Sequence, residues 1–354
     1  MKEKIEKIID AGIHAPSGDN CQPWRFEAST NSISIFLVEE ADNSLYSWGH
    51  KASLLAIGAC VENMAIAAEN SSLSCQTEFF EYQSPEKPVA VLNLSPSDKK
   101  GRPALFEAVF ERCTNRKKYS NENKADIFIQ NLQENLKPNE THHANVKFIS
   151  DKLSKKTLGK AVAANEKILF ENQHMHNFFY SHINWSTSEE IKHKKGFYIK
   201  TLEIPGPALP GFKLAQNWQI MRVLGALGFA NFIAKQNAQI YESSYLHGVI
   251  TSQGITGKDY LSAGKLLEEI WLKTTALKLS FQPLTGICFL YQRIKNLSDP
   301  GLSKKHIRVI EDSYNEIKKT FQLKNEHALL MFRIGDGGEP SARTLRQPAK
   351  IIWK

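Results

Sequence analysis

The chain has 354 residues, enough for two domains or one duplicated domain, and its 42% hydrophobic and 23% charged residues exclude a disordered or fibrous class. Lysine and arginine number 45 against 37 acidic residues, a net charge of +8. The lysines are scattered through helices rather than blocked into a tail, so nucleic acid is not an expected partner, although a phosphate-bearing ligand would gain from the field.

In chain order, Ile5, Ile8, Ile9 and Ile13 recur at helical spacing and predict a short helix that stops before Pro16. The stretch Ala15-Pro16-Ser17-Gly18-Asp19-Asn20-Cys21-Gln22-Pro23-Trp24 holds two prolines, a glycine and a Ser/Asp/Asn cluster. It predicts an ordered turn that enters a strand at Trp24 and presents small polar side chains beside free backbone N–H groups. Such a turn suits a planar polar ligand, although a Pro/Asn-rich turn is more often only a turn. Strands are expected at Trp24 to Glu27 and Ile33 to Val38, then a central buried helix from about Ala52 to Glu69, then strands around Thr77 to Tyr82 and Val89 to Leu94.

Pro103 opens a further helix with Leu105, Phe106, Val109, Phe110 and Cys113 on its buried side. A helix at about Ala125 to Leu136, a strand at Val146 to Ile149 and a helix at about Leu158 to Phe170 follow. Residues 171–243 fit no earlier pattern: they carry Phe178, Phe179, Tyr180, Trp185, Phe197 and Tyr198, a Pro/Gly-rich turn, and an apolar helix from about Ala215 to Ala234. Beyond them come a strand at Leu246 to Thr251, a helix at Leu261 to Leu279, an amphipathic helix marked by Ile307, Ile310, Tyr314, Ile317 and Phe321, and an apolar strand at Ala328 to Ile334. The tail is polar until its last strand-like residues.

Five cysteines, Cys21, Cys60, Cys75, Cys113 and Cys288, are odd in number and lack C-x-x-C spacing, so they read as reduced thiols. The first residues lack an apolar h-region, and the stretch Ile220 to Ala234 is broken by Arg222 and too short to span a bilayer. A cytoplasmic protein with no membrane partner is expected.

Two basic clusters stand out. Arg112 and Arg116 flank Thr114, so two guanidinium groups and a hydroxyl can converge on one phosphate, or can form a solvated basic helix end. Arg343 and Arg346 lie near the C-terminus, before Pro348. Other motifs fail on spacing. Gly254 to Lys258 has two residues between its glycines where a P-loop needs four, and Gly335 to Gly338 runs into Pro340 rather than a helix. His174, His176 and His182 read as exposed histidines without a paired carboxylate, and no Gly-x-Ser-x-Gly elbow occurs. No metal site and no catalytic acid or base is singled out.

The Pro16-Ser17-x-x-Asn20-x-Gln22-Pro23-Trp24 loop after a short helix resembles the flavin-contacting loop of the nitroreductase family of FMN oxidoreductases, and is most similar to its long single-chain, Acg-like branch. Arg112, Thr114 and Arg116 resemble the family's R-x-S-x-R phosphate element, with Thr114 at the serine position, though the spacing to Tyr119 departs from the usual by one residue. Arg346 matches the family's basic residue two positions before the proline, while Arg343 lies one residue off the second position, held here by Thr344. Leu284, Thr285 and Gly286 resemble the loop whose backbone N–H faces flavin N5, with Thr285 where an acidic residue is common; a helix-ending turn reads as well.

The resemblance implies an α+β, nitroreductase-like fold with a central mostly antiparallel sheet wrapped by helices, built as two fused pseudo-symmetric halves. Residues 1–100 would carry the flavin loop, and residues 101–354 the phosphate-binding arginines and a lid-like insert at about 171–243. One FMN site would form across the halves, so that a monomer imitates a dimer, or a homodimer forms. The implied activity is ping-pong reduction of a small-molecule acceptor, a nitroaromatic or quinone, by NAD(P)H. Alternatives within the resemblance are a lidded flavin-storage protein with little turnover and the flavin-cleaving branch.

Overall fold

A computed structural model of the chain describes residues 1–120, 130 and 144–354. Helix α1 (Lys2–Ile13) buries its isoleucines along one face, as their spacing dictates. The hairpin of β1 (Trp24–Ala28) and β2 (Ser32–Leu37) alternates buried and half-exposed residues along β1. Helix α2 (Lys51–Asn70) is buried without interruption from Ser53 to Ala68, and β3 (Leu73–Phe79) and β4 (Ala90–Pro96) follow it. Strand β3 starts four residues before the expected Thr77.

Helix α3 (Pro103–Glu111) ends earlier than expected, and Arg112 is already extended at φ −58° and ψ 132°. Only Ala108 and Val109 are buried beneath it. Phe110, expected on the buried side, is 41% exposed and leans edge-on against His14, and Cys113 is half-buried. The helix expected at Ala125 to Leu136 lies outside the described residues apart from residue 130, which is helical.

Strand β5 (Ala144–Ile149) leads into α4 (Lys152–Glu171), capped by the Asp151 carboxylate, and α5 (Gln173–Ser181). His176 proves to be buried rather than exposed: its Nε2 stands 2.9 Å from the Ala215 carbonyl within a cage of Phe170, Tyr180 and Trp218. A two-residue parallel pair, β6 (Ile183–Asn184) with β7 (Phe197–Tyr198), encloses α6 (Thr187–His193). After α7 (Leu209–Leu214), the apolar helix expected from Ala215 to Ala234 divides into α8 (Trp218–Ala226) and α9 (Phe229–Glu242). The break is at Gly228, whose φ of +86° no helix interior permits.

The remaining elements are β8 (Leu246–Ser252), α10 (Gly257–Ala276), β9 (Ser280–Leu284), α11 (Gly286–Asn296), α12 (Lys304–Thr320), β10 (His327–Gly335) and β11 (Ile351–Trp353). A capping box of Thr256 and Asp259 starts α10 four residues before the expected Leu261. The segment Gln282 to Gly286, for which a helix-ending turn is the alternative to the family's N5-facing loop, is the end of β9 and the first residue of α11 rather than a turn closing a helix.

The chain is mixed α and β with mostly antiparallel pairing, and its strands are divided between two main sheets where one central sheet is expected. The first has the order β11-β1-β2-β4-β3, antiparallel except for β1 with β11; the second has the order β5-β8-β10-β9 and is antiparallel. Helices α2 and α10 pack on each other between the sheets, and one hydrophobic core takes residues from both sides of position 100. Strands β8 and β10 are buried on both faces because α4, α11 and α12 cover the far side, which is why β10 reads as an unbroken apolar run.

The α2–α10 contact depends on two glycines. A Cβ on Gly58 would stand 2.0 Å from the Leu261 carbonyl oxygen, and one on Gly264 would stand 1.9 Å from that of Leu55. Main chain blocks main chain, so no side-chain rotation relieves the clash. Gly264→Ala is therefore expected to destabilise the fold by about 3 kcal/mol, read as a lower urea midpoint, while Gly225→Ala, where the space is open, shifts it little.

Candidate functional site

The return of the chain end to its beginning builds the site. Strand β11 pairs in parallel with β1 in the register Phe26 to Ile351, and this draws residues 341–347 alongside the loop that follows α1. The loop itself turns through three left-handed residues, Asp19, Asn20 and Gln22, with φ near +50°. Asp and Asn tolerate that region and Gln does so at a cost, so outside bonds must hold it.

Gln22 supplies them. Its backbone N–H donates to Ser17 Oγ at 3.0 Å, its Nε2 donates to the Lys194 carbonyl at 2.7 Å, and its Oε1 accepts from Gln347 N–H at 2.8 Å. Loop, insert and tail are thus tied at one side chain. Asn20 adds a bond from Nδ2 to the Leu345 carbonyl at 3.0 Å, and its buried Oδ1 has no hydrogen-bond partner.

Opposite the loop, the extended backbone after α3 sends residues 112, 114 and 116 to one side and Asn115 to the other. Asn115 Nδ2 donates to Ser280 Oγ at 3.0 Å and to the Gly338 carbonyl at 2.7 Å. Between loop, extended segment and tail lies an open cleft. Pro16, Ser17, Asn20, Arg112, Thr114, Arg116, Arg343 and Arg346 line it. These are eight of the sequence-derived candidates, from three segments distant in the chain.

The other four do not line it. Gln22 stands behind the loop as its tie, and Leu284, Thr285 and Gly286 lie at the β9–α11 junction, where a Cβ on Gly286 would meet Asn165. Residues that sequence reasoning missed complete the wall: Gly196, Phe197 and Thr201 from the insert, and Cys113, Ala342 and Thr344. Gly196 has φ +86°, and a Cβ there would come 2.3 Å from the His182 carbonyl, a signal that an isolated glycine in a polar stretch does not reveal.

The cleft is strongly cationic. Arg116 donates to the Thr201 carbonyl at 3.0 Å and lies 5.6 Å from the Phe197 ring centre. Arg346 donates through Nη1 to Thr344 Oγ1 at 3.0 Å and through Nη2 to the His14 and Ala15 carbonyls at 3.4 Å, while its buried Nε has no partner. Burial first, and then the like charge of Arg112, pull the Arg346 pKa down to about 9. An anion placed there would relieve both.

Arg112 is held from behind. Its Nη2 donates to the His14 carbonyl at 2.7 Å, its guanidinium covers the Trp271 ring at 4.3 Å, and its Nε approaches Glu268 Oε1 at 3.0 Å with both groups almost wholly buried. That approach is misaligned for a hydrogen bond, so the pairing is Coulombic. Burial pushes Glu268 up to about 7 despite Arg112.

A second buried arginine, Arg333 on β10, was not singled out from sequence. It has no carboxylate among the described residues and is solvated by acceptors: Gln282 Oε1 at 2.8 Å, the Ile240 and Ser243 carbonyls at 2.6 and 3.0 Å, and the Lys117 carbonyl at 2.6 Å. It covers the Tyr119 ring at 3.7 Å, and Tyr119 OH donates to the Asn115 carbonyl at 2.6 Å. Tyr119 therefore closes the arginine segment as a buried brace.

With this geometry described, comparison with known proteins adds a direction. No family model matches the chain. It is similar, at 23% identity over 365 residues, to "Uncharacterized protein MT1398" of Mycobacterium tuberculosis (strain CDC 1551 / Oshkosh), covering 98% of this chain and 48% of that protein. It is also similar, at 22% identity over 193 residues, to "Putative NAD(P)H nitroreductase acg" of Mycobacterium tuberculosis, covering 53% of this chain and 57% of that protein. The chain thus spans about half the length of the curated relatives it matches. The likeness to a nitroreductase is distant and partial.

The pairing of Arg112 with Glu268 yields a pH-dependent expectation. Glu268 titrates near 7 when folded and near its ordinary 4.5 when unfolded, so the folded state holds the extra proton between those values and the group's stability contribution declines as pH rises from about 4.5 to about 7. Arg112→Met should then cost about 3 kcal/mol at about pH 8, where Glu268 is ionised, and less at about pH 5, where it is protonated. Urea unfolding at the two pH values measures the difference, and Glu268→Gln should remove its pH dependence.

Proposed function

We propose that this protein is an FMN-dependent NAD(P)H oxidoreductase of nitroreductase type. The single observation that carries the reading is the cleft that gathers Arg112, Arg116, Arg343 and Arg346 opposite Ser17 and Asn20, with the buried Arg346 Nε and Asn20 Oδ1 lacking partners. The donor set fits the phosphate end of FMN: guanidinium groups and the Thr114 hydroxyl would hold the phosphate, and Asn20 with the backbone around Ser17 would meet polar atoms farther along. The distant likeness to a protein named as an NAD(P)H nitroreductase supports the same choice.

When bound, the flavin supplies acceptance of hydride from a nicotinamide and its onward delivery to a nitroaromatic or quinone. The chain's own part is electrostatic and steric. Arg112 and Arg346 would meet a phosphate without moving, because Arg112 is locked by Glu268, Trp271 and the His14 carbonyl, and Arg346 by the His14, Ala15 and Leu345 carbonyls. Phe197 and Thr201 narrow the cleft from the insert side and limit water beside Arg116. No general acid or base is assigned.

The insert's share of the wall favours a second reading, a lidded flavin-storage protein with little turnover. The two readings separate on anaerobic mixing of the FMN-loaded protein with NADPH: rapid bleaching of the flavin absorption is expected for the oxidoreductase, and a lasting oxidised spectrum for storage.

The phosphate assignment has its own test, independent of turnover. In a fluorescence titration, FMN should bind far more tightly than riboflavin, which lacks the phosphate. Arg346→Gln should weaken FMN by about tenfold or more and leave riboflavin unchanged, since it removes a charge-assisted contact of about 1.5–3 kcal/mol. Equal affinity for FMN and riboflavin would rule the assignment out.

A further inference from the structure

We infer that the outer face of the insert, formed by α7, α8 and α9, docks the protein onto an anionic lipid surface. The inner face of this hairpin is already satisfied: Met221 and Ala230 are buried, Trp218 lies 5.2 Å from the His176 ring, and Phe229 lies 6.3 Å from that of Phe170. The outer face keeps large apolar side chains in water nonetheless. Leu214 is 59% exposed, Val223 60%, Leu227 81% and Phe232 55%. Val223 on α8 and Leu227, the residue that caps its C-terminus, are four apart, and Leu227 sits at the tip beside Gly228. Exposed apolar side chains concentrated in this way mark an interaction surface.

Charge identifies the partner. With 37 acidic residues in 354, a stretch as long as 204–241 would hold about four, and it holds none. It carries Lys213, Arg222 and Lys235, all exposed. Apolar residues interleaved with cations and no anions complement phosphate headgroups over acyl chains. A second copy of the chain is disfavoured as occupant, since a two-fold interface would set these cations against themselves. Helix α2 is long and apolar enough to cross a bilayer, but it is buried in the core, so a contact with lipid falls to a surface-lying face such as this one.

The test is cosedimentation of the full chain with vesicles of phosphatidylcholine, with and without phosphatidylglycerol at about one part in three. Binding is expected to the anionic vesicles and to fall steeply with salt. Leu227→Asp with Phe232→Asp should abolish it, and Lys213→Gln with Arg222→Gln and Lys235→Gln should weaken it by about 100-fold. Both sets lie on the surface, so an unchanged circular dichroism spectrum and urea midpoint establish that each variant is folded. A chain that stays in the supernatant with both vesicle types overturns the inference, as does equal binding to both. A concentration-dependent dimer that Leu227→Asp disperses would assign the face to a second copy instead.

Discussion

The carbonyl oxygen of His14 accepts hydrogen bonds from two arginines, Arg112 Nη2 at 2.7 Å and Arg346 Nη2 at 3.4 Å. That shared acceptor organises the site, because it sets two like charges beside each other at the end of α1. Such an arrangement persists only if the surrounding structure compensates the repulsion. Glu268, buried behind Arg112, supplies part of the compensation, and the unpartnered Nε of Arg346 shows that part is left over. The remainder is uncompensated positive charge, the feature on which the proposed phosphate site rests.

Each of three arginines, two buried and one half-buried, is handled by a different physical device. Arg112 faces a carboxylate, Arg346 faces backbone carbonyls and a hydroxyl, and Arg333 is surrounded by carbonyls and an amide oxygen, with two tyrosine rings over its flat faces. A guanidinium group can be solvated in all three ways because its five donors are fixed in a plane and its charge is delocalised. A lysine has neither property. Arg333 thereby ties the Lys117 carbonyl to the end of α9, so the arginine segment and the insert are anchored to the same strand.

Much of the architecture was legible in order of residues. The isoleucine spacing of α1, the alternation in β1 and the unbroken apolar character of α2 and β10 each follow from which faces are buried, and burial leaves its period in the sequence. The misreadings have local physical causes. Gln282 to Leu284 contain a proline and resemble a turn, yet Pro283 sits where β9 lies at the edge of its sheet and needs no further donor. The helix expected through Leu227 breaks because Gly228 takes a left-handed conformation, one of several roles a glycine there can play. Thr256 and Asp259 form a capping box, which starts α10 a turn ahead of its apolar residue Leu261.

The chain by itself determined the chemistry available to the site: four arginines in two clusters, a Ser/Asn turn bounded by prolines, and too little contrast elsewhere to name another centre. Residue identity and spacing carry that information because guanidinium groups and short polar side chains have fixed donor geometry wherever they fall. That these segments meet is expected from the family resemblance and from nothing in their spacing; tertiary structure alone decided how they meet, that Gln22 serves as a tie, and that Phe197 and Thr201 close the wall. Those outcomes rest on contacts between residues far apart in sequence, above all the pairing of β11 with β1, and such contacts leave no period or spacing in either partner.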